Sequence, residues 1–242
     1  MSTQQTPVVR VAEGSRVTIG IAVAAWALSW VLGVLVSSVV VGLTGETSVD
    51  EAPIWVTVAG TAAMWVPMVL VLREVSVRFG VRRFIDDYGL RFSRTDLLGV
   101  PIGVLSQLVL LRIVYWPLQS IWPNTFSTPR LEEKARDLYD SAQGGWVVLL
   151  VVMVVIGAPV VEELVYRGLL QGAFSRQVQD GVAVVIVAAW FALIHFAPVE
   201  YPGLFAFGLV LGICALSTKR LGLSIVTHLA FNATGLVWVA TR

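Results

Sequence analysis

The sequence predicts an all-α protein, a polytopic bundle of about seven transmembrane helices. Three observations carry that prediction. Of the 242 residues, 57% are hydrophobic and only 14% are charged, whereas a soluble domain carries roughly 25% charged residues to face water. Mean hydropathy is +0.80, and the apolar residues fall in blocks close to the ~20 residues that a helix needs to cross a ~30 Å hydrocarbon core. Tryptophans mark the block ends: Trp55, Trp116, Trp122, Trp146 and Trp238 lie where amphipathic rings favour the membrane interface.

Taken in order, the predicted spans are 17–43, 53–72, 97–121, 146–174, 182–197, 203–217 and 221–240. The fifth and sixth are short, and an eighth span is left open. It is not expected at 131–138, where Glu132, Glu133, Lys134, Arg136 and Asp137 crowd the segment and suggest a short surface helix. The chain then divides into a tail at 1–16, spans over 17–144 and a polar-bearing core at 145–242, all one integral membrane domain. No internal repeat is visible. The single cysteine, Cys214, excludes an internal disulfide.

Loop charges give the orientation. The 73–96 stretch holds Arg73, Arg78, Arg82, Arg83, Arg91 and Arg94. The turns at Arg176 and at Lys219 and Arg220 fall on the same side, as does the tail with Arg10 and Arg16. Opposite them, 44–52 carries Glu46, Asp50 and Glu51 without a basic residue. Basic loops stay cytoplasmic, so a cytoplasmic N-terminus and an external C-terminus are expected, in a bacterial cell membrane. The first span is expected to be an uncleaved anchor, being longer than the apolar core of a signal peptide. Membrane lipid is the implied surrounding, and no nucleic-acid partner is expected.

Charged groups at membrane depth cost at least ~2.5–3.5 kcal/mol each and usually mark function. Here they gather in the C-terminal half: Glu162, Glu163, Tyr166 and Arg167 in the fourth span, His195 in the fifth, His228 and Asn232 in the seventh. Both histidines of the chain belong to this set. Glu163 and Arg167 are four apart and can pair on one helical face, whereas Glu162 points away and has no helical partner. His195 follows Phe191 by four, which sets a ring beneath the imidazole. Pro159 is expected to kink the fourth helix or start a new segment, with both glutamates in its first turn. Arg112, in the third span, reads as a counter-ion or as a side chain reaching for an interface.

A carboxylate, two imidazoles and a carboxamide suit hydrolysis. Glu162 would act as general base towards water, and His195 would share the water or protonate the leaving amine. Asn232 with His228 would donate to a developing oxyanion, which is worth about 2.7–4 kcal/mol per donor. The same Glu162, His195 and His228 could instead form a zinc site with water in the fourth position. Taken singly, each feature has a plainer reading: the Glu163–Arg167 pair as structural, Tyr166 and Phe191 as packing, a lone histidine as an interhelical bond.

The motifs Glu162-Glu163-x-x-x-Arg167, Phe191-x-x-x-His195 and His228-x-x-x-Asn232 together resemble the three signatures of the CPBP intramembrane proteases. That family includes the CAAX prenyl endopeptidases and the Abi or bacteriocin-immunity proteins. The resemblance covers about 145–240 and implies catalytic positions at Glu162, His195, His228 and Asn232, with Glu163 and Arg167 in support. It implies an endopeptidase acting on a membrane-associated protein or peptide near the cytoplasmic half of the bilayer. Such an enzyme would be glutamate-dependent, with no cofactor, or a metalloprotease with zinc. It does not imply a prenylated substrate. Two other classes compete: a non-catalytic scaffold or immunity protein that keeps the cluster for packing, and a small proton-coupled transporter, against which the lack of repeated halves counts.

Overall fold

A computed structural model describes residues 15–46, 52–142 and 144–242. Arg10, Asp50 and Glu51, which entered the orientation argument, lie outside those residues. Among the described residues all regular structure is helical. The long elements are α1 (Ile19–Leu43), α2 (Ile54–Phe79), α3 (Arg94–Ile121), α4 (Thr128–Asp140), α5 (Trp146–Phe174), α6 (Asp180–Leu193), α7 (Tyr201–Thr218) and α8 (Gly222–Ala240).

Six of these, all but α4 and α6, are long and apolar enough to cross a membrane. Each predicted span therefore has its helix, with α6 the exception in length. It has 14 residues, about 21 Å at 1.5 Å per residue, less than the hydrocarbon core. It stops at Leu193, so His195 sits in the turn beyond it rather than inside a span reaching 197. The second helix errs the other way. It runs on through Pro67 to Phe79, past Arg73 and Arg78, and ends at Gly80. The acidic stretch around 131–138 is the amphipathic α4, which begins with Pro129 in its first turn and rests against α8.

Many helix faces remain apolar and exposed on the outside, among them Leu35, Leu43, Ile113 and Trp116, as a lipid-facing surface requires. In such a surrounding the apolar effect does not drive helices together, so close packing must. Gly99 and Gly103, one turn apart on α3, meet Thr227 on α8; a Cβ on Gly103 would run into the Thr227 carbonyl. This contact seats α3 on the helix that carries His228 and Asn232.

At the arginine-rich end the loop is held from within. Asp87 is buried and accepts from Ser76 Oγ at 2.5 Å and from the Val81 amide at 2.8 Å. Tyr88 donates to the Leu72 carbonyl at 2.6 Å. Asp96 pairs with Arg220 of the turn between α7 and α8, joining the two basic turns on one side of the bundle.

Candidate active site

The fourth predicted span is one helix, and Pro159 does not start a new segment. The turns before it, Val152–Gly157, and those after it, Glu163–Gln171, are wound as π-helix within the continuous α5. Such widened turns free carbonyl groups from the regular i→i−4 ladder and recur at functional sites. Asn232 uses one: its Nδ2 donates to the Val154 carbonyl at 2.8 Å. That bond ties α8 to α5 about two turns before the glutamates.

Glu163 and Arg167 pair as the spacing suggests. Arg167 Nη1 donates to Glu163 Oε1 at 3.0 Å, and both side chains are 0% exposed. Arg167 also donates to the Gly208 carbonyl of α7 at 3.0 Å and lies over the Phe191 ring, 4.7 Å from its centre. A buried pair needs such extra bonds to offset the desolvation of its ions. One turn on, Gln171 Nε2 donates to the Gly212 carbonyl at 2.9 Å. Sequence reasoning passed over Gln171, although its place four residues beyond Arg167 continues the polar stripe.

Glu162 finds its partner across the bundle. His228 Nε2 lies 3.7 Å from Glu162 Oε2, and His228 Nδ1 lies 3.0 Å from Glu163 Oε1. A carboxylate paired with arginine accepts, so Nδ1 of His228 carries the proton and donates to Glu163, which fixes the ring's orientation. Phe191 and Phe207 flank that ring edge-on, with centroids at 5.9 and 5.4 Å. His228 thus bridges the two glutamates, a contact that spacing along either helix did not suggest.

His195 is placed by its own turn. Its Nδ1 donates to the Phe191 carbonyl at 2.6 Å, and the two rings meet edge to face at 4.8 Å. Nε2 is thereby left without a proton in the neutral ring, and no side chain among the described residues engages it. Two cavities meet at this residue. The smaller, about 200 Å³, is lined by Glu162, His195 and Tyr166 with Trp26, Trp30 and Trp65 from α1 and α2. The larger, about 760 Å³, is lined by His195 and Asn232 and extends between α3, α4 and α8. A Cβ on Gly157 would strike the Trp65 ring, so the wall beside Glu162 depends on that glycine. These tryptophans were not singled out in the sequence, because nothing local distinguishes a cavity wall from a lipid-facing ring.

The loop after His195 is anchored by α3. Tyr115 Oη lies 3.1 Å from the Val199 and Glu200 carbonyls and accepts from the Gly203 amide at 3.1 Å. Burial pushes the Glu200 carboxyl above its ordinary value, while Lys134 and His195 pull it back down.

The zinc alternative finds no support in the donor set. No group of three His, Cys, Asp or Glu among the described residues is arranged to hold a metal ion; Nδ1 of both histidines faces a protein acceptor, which leaves Nε2 as the ring nitrogen open to a ligand.

Comparison with known proteins agrees with the motifs. A family model described as type II CAAX prenyl endopeptidase Rce1-like matches residues 144–234. The three-motif resemblance and this match fall on the same family, the CAAX-type or CPBP intramembrane proteases, and on the same part of the chain. Comparison with curated proteins and with solved structures gave no match. The family match and the apolar helices support CAAX-type endopeptidase activity in general terms, in a protein embedded in a membrane.

Proposed function

We propose that this chain is an intramembrane endopeptidase that hydrolyses a peptide bond of a membrane-associated protein or peptide, with Glu162 and His195 activating the water. The observation that carries the reading is the position of His195. It lines both the cavity that holds Glu162 and the cavity that holds Asn232, and its Nε2 is free to take a hydrogen bond from water.

In this scheme water lies between Glu162 and His195. Glu162, with 27% of its side chain exposed, takes a proton as the hydroxide adds to the scissile carbonyl carbon. Negative charge moves to the carbonyl oxygen, where Asn232 supplies the amide hydrogen not used on Val154. His228 can add a second donor from Nε2 only as the imidazolium, with Nδ1 held by Glu163. The C–N bond then breaks, and the proton taken up by Glu162 or His195 passes to the leaving amine. Arg167 and Gln171 touch no reacting atom; they hold α5 against α7 so that Glu163 stays beneath His228.

The larger cavity lies at the ends of α3, α5 and α8 that carry Trp116, Trp146 and Trp238, away from the arginine-rich loop. With that loop cytoplasmic, as the charge bias favours, this cavity opens towards the external face. That reading departs from the cut in the cytoplasmic half expected from the sequence.

The test is proteolysis in liposomes with a library of fluorogenic membrane-anchored peptides. Wild type, Glu162→Ala and His195→Ala are compared with and without a strong chelator. Cleavage that is lost in both variants and survives chelation is expected. Undiminished cleavage by a folded Glu162→Ala protein refutes the assignment, and activity lost to chelator and restored by zinc would return the metal alternative.

A further inference from the structure

Three cations line the larger cavity, Arg112, Lys134 and Arg242, and the proposed chemistry uses none of them; Lys134 faces Glu200 and Arg242 lies over the Trp238 ring. Helix α3 turns Leu108, Arg112, Tyr115 and Gln119 towards the cavity at helical spacing. Tyr115 is committed to the 199–203 loop, but Arg112 has no hydrogen-bond or ion-pair partner among the described residues. Arg112 is exposed where it lines the cavity, whereas Arg167 is buried against Glu163 and Arg220 pairs with Asp96. A guanidinium at membrane depth costs at least ~2.5–3.5 kcal/mol, so an unpaired one beside a cavity is available to a ligand.

The two acids that share the cavity are engaged elsewhere. Glu132 accepts from Arg136 and from Trp238 Nε1, each at 2.9 Å, and Glu200 interacts with Lys134 and His195. The fork of a guanidinium matches a carboxylate with two parallel hydrogen bonds. His195 and Asn232 line the same space, so a chain held at Arg112 passes the groups proposed to cut it. A lipid phosphate at Arg112 would use none of that geometry.

We propose that Arg112 is a specificity-determining residue that pairs with a carboxylate of the peptide substrate held in the cavity between α3, α4 and α8. The inference rests on the endopeptidase reading. The carboxylate is either the C-terminus or an acidic side chain, which present the same chemistry to the guanidinium.

The test uses the full chain carrying Glu162→Gln, in nanodiscs, so that bound peptide is not cut. The probe is a fluorescent, N-acylated heptapeptide of alanine and leucine in three forms: a free C-terminal carboxylate, a C-terminal amide, and an amide with one internal glutamate. Binding is read by fluorescence anisotropy. At least one carboxylate form is expected to bind about tenfold tighter than the neutral amide, and the form that does so identifies the source of the charge. Arg112→Gln should abolish that difference and Arg112→Lys should keep part of it. Equal binding of all three forms, discrimination that survives Arg112→Gln, or no binding by any form would overturn the proposal. So would a contrast that appears in phosphatidylcholine but is lost in phosphatidylglycerol, which would give Arg112 to the anionic lipid. Failure of the endopeptidase reading shows separately, as cleavage indifferent to Glu162→Ala, and leaves this binding contrast measurable.

Discussion

Replacing Arg167 by methionine removes a guanidinium that faces Glu163 at 3.0 Å with both side chains fully buried. At that distance and an effective dielectric of about 20, two unit charges attract by about 5 kcal/mol, much of which offsets their desolvation. Breaking the pair from one side leaves a buried charge alone, at a cost of about 3–5 kcal/mol. The bond to the Gly208 carbonyl and the contact over Phe191 are lost as well. Reversible unfolding in bicelles should therefore show Arg167→Met less stable by about 3–5 kcal/mol. The double variant Glu163→Gln/Arg167→Met removes the orphaned charge and should recover most of that loss. Cleavage should not recover with it, because His228 Nδ1 then faces a neutral amide instead of a carboxylate. The reasoning is refuted if the single substitution costs less than about 1 kcal/mol, below the range for a broken buried pair, or if the double variant restores cleavage along with stability.

Four further outcomes are expected. Asn232→Ala should lower cleavage by about 10²–10³, as loss of an oxyanion donor does, while costing only about 1 kcal/mol in unfolding for the lost bond to Val154; single-turnover rates beside a stability measurement separate the two. Gly103→Ala should destabilise by about 1–3 kcal/mol through overpacking against Thr227, visible as a lowered unfolding temperature. Because burial raises the Glu200 carboxyl, the folded state holds its proton more tightly than the unfolded chain. Stability should fall as pH rises from the ordinary carboxylate value through the raised one, and Glu200→Gln should flatten that slope in unfolding measured from mildly acidic to neutral pH. Cysteines introduced for Gln119 and for Arg83 should react with an impermeant thiol reagent from opposite sides of sealed vesicles, with the buried Cys214 silent; labelling of both from one side would reverse the topology.

Much of the fold was legible because a bilayer imposes its own length. Blocks of about 20 apolar residues have few alternatives to a spanning helix, and helices formed at each predicted span. The site residues were legible for a related reason. Glu162, Glu163, Arg167, His195, His228 and Asn232 are polar groups in apolar segments, where burial without a partner is costly. What stayed hidden depended on contacts between helices. The early end of α6 at Leu193 follows from the turn that lets His195 bond the Phe191 carbonyl, and hydropathy reads straight through it.

The sequence by itself determined a helical membrane protein, the order of its spans, and the set of polar residues gathered in the last 100 or so positions. Only the tertiary structure decided which of them meet. His228 bridges Glu162 and Glu163 from another helix, Asn232 finds the Val154 carbonyl of a π-wound turn, and His195 stands where two cavities join. Periodicity fixes the faces of single helices, whereas the rotation and depth of one helix against another are set by close contacts. Gly103 on Thr227 and Gly157 on Trp65 are such contacts, and they join residues too distant along the chain for local pattern to relate.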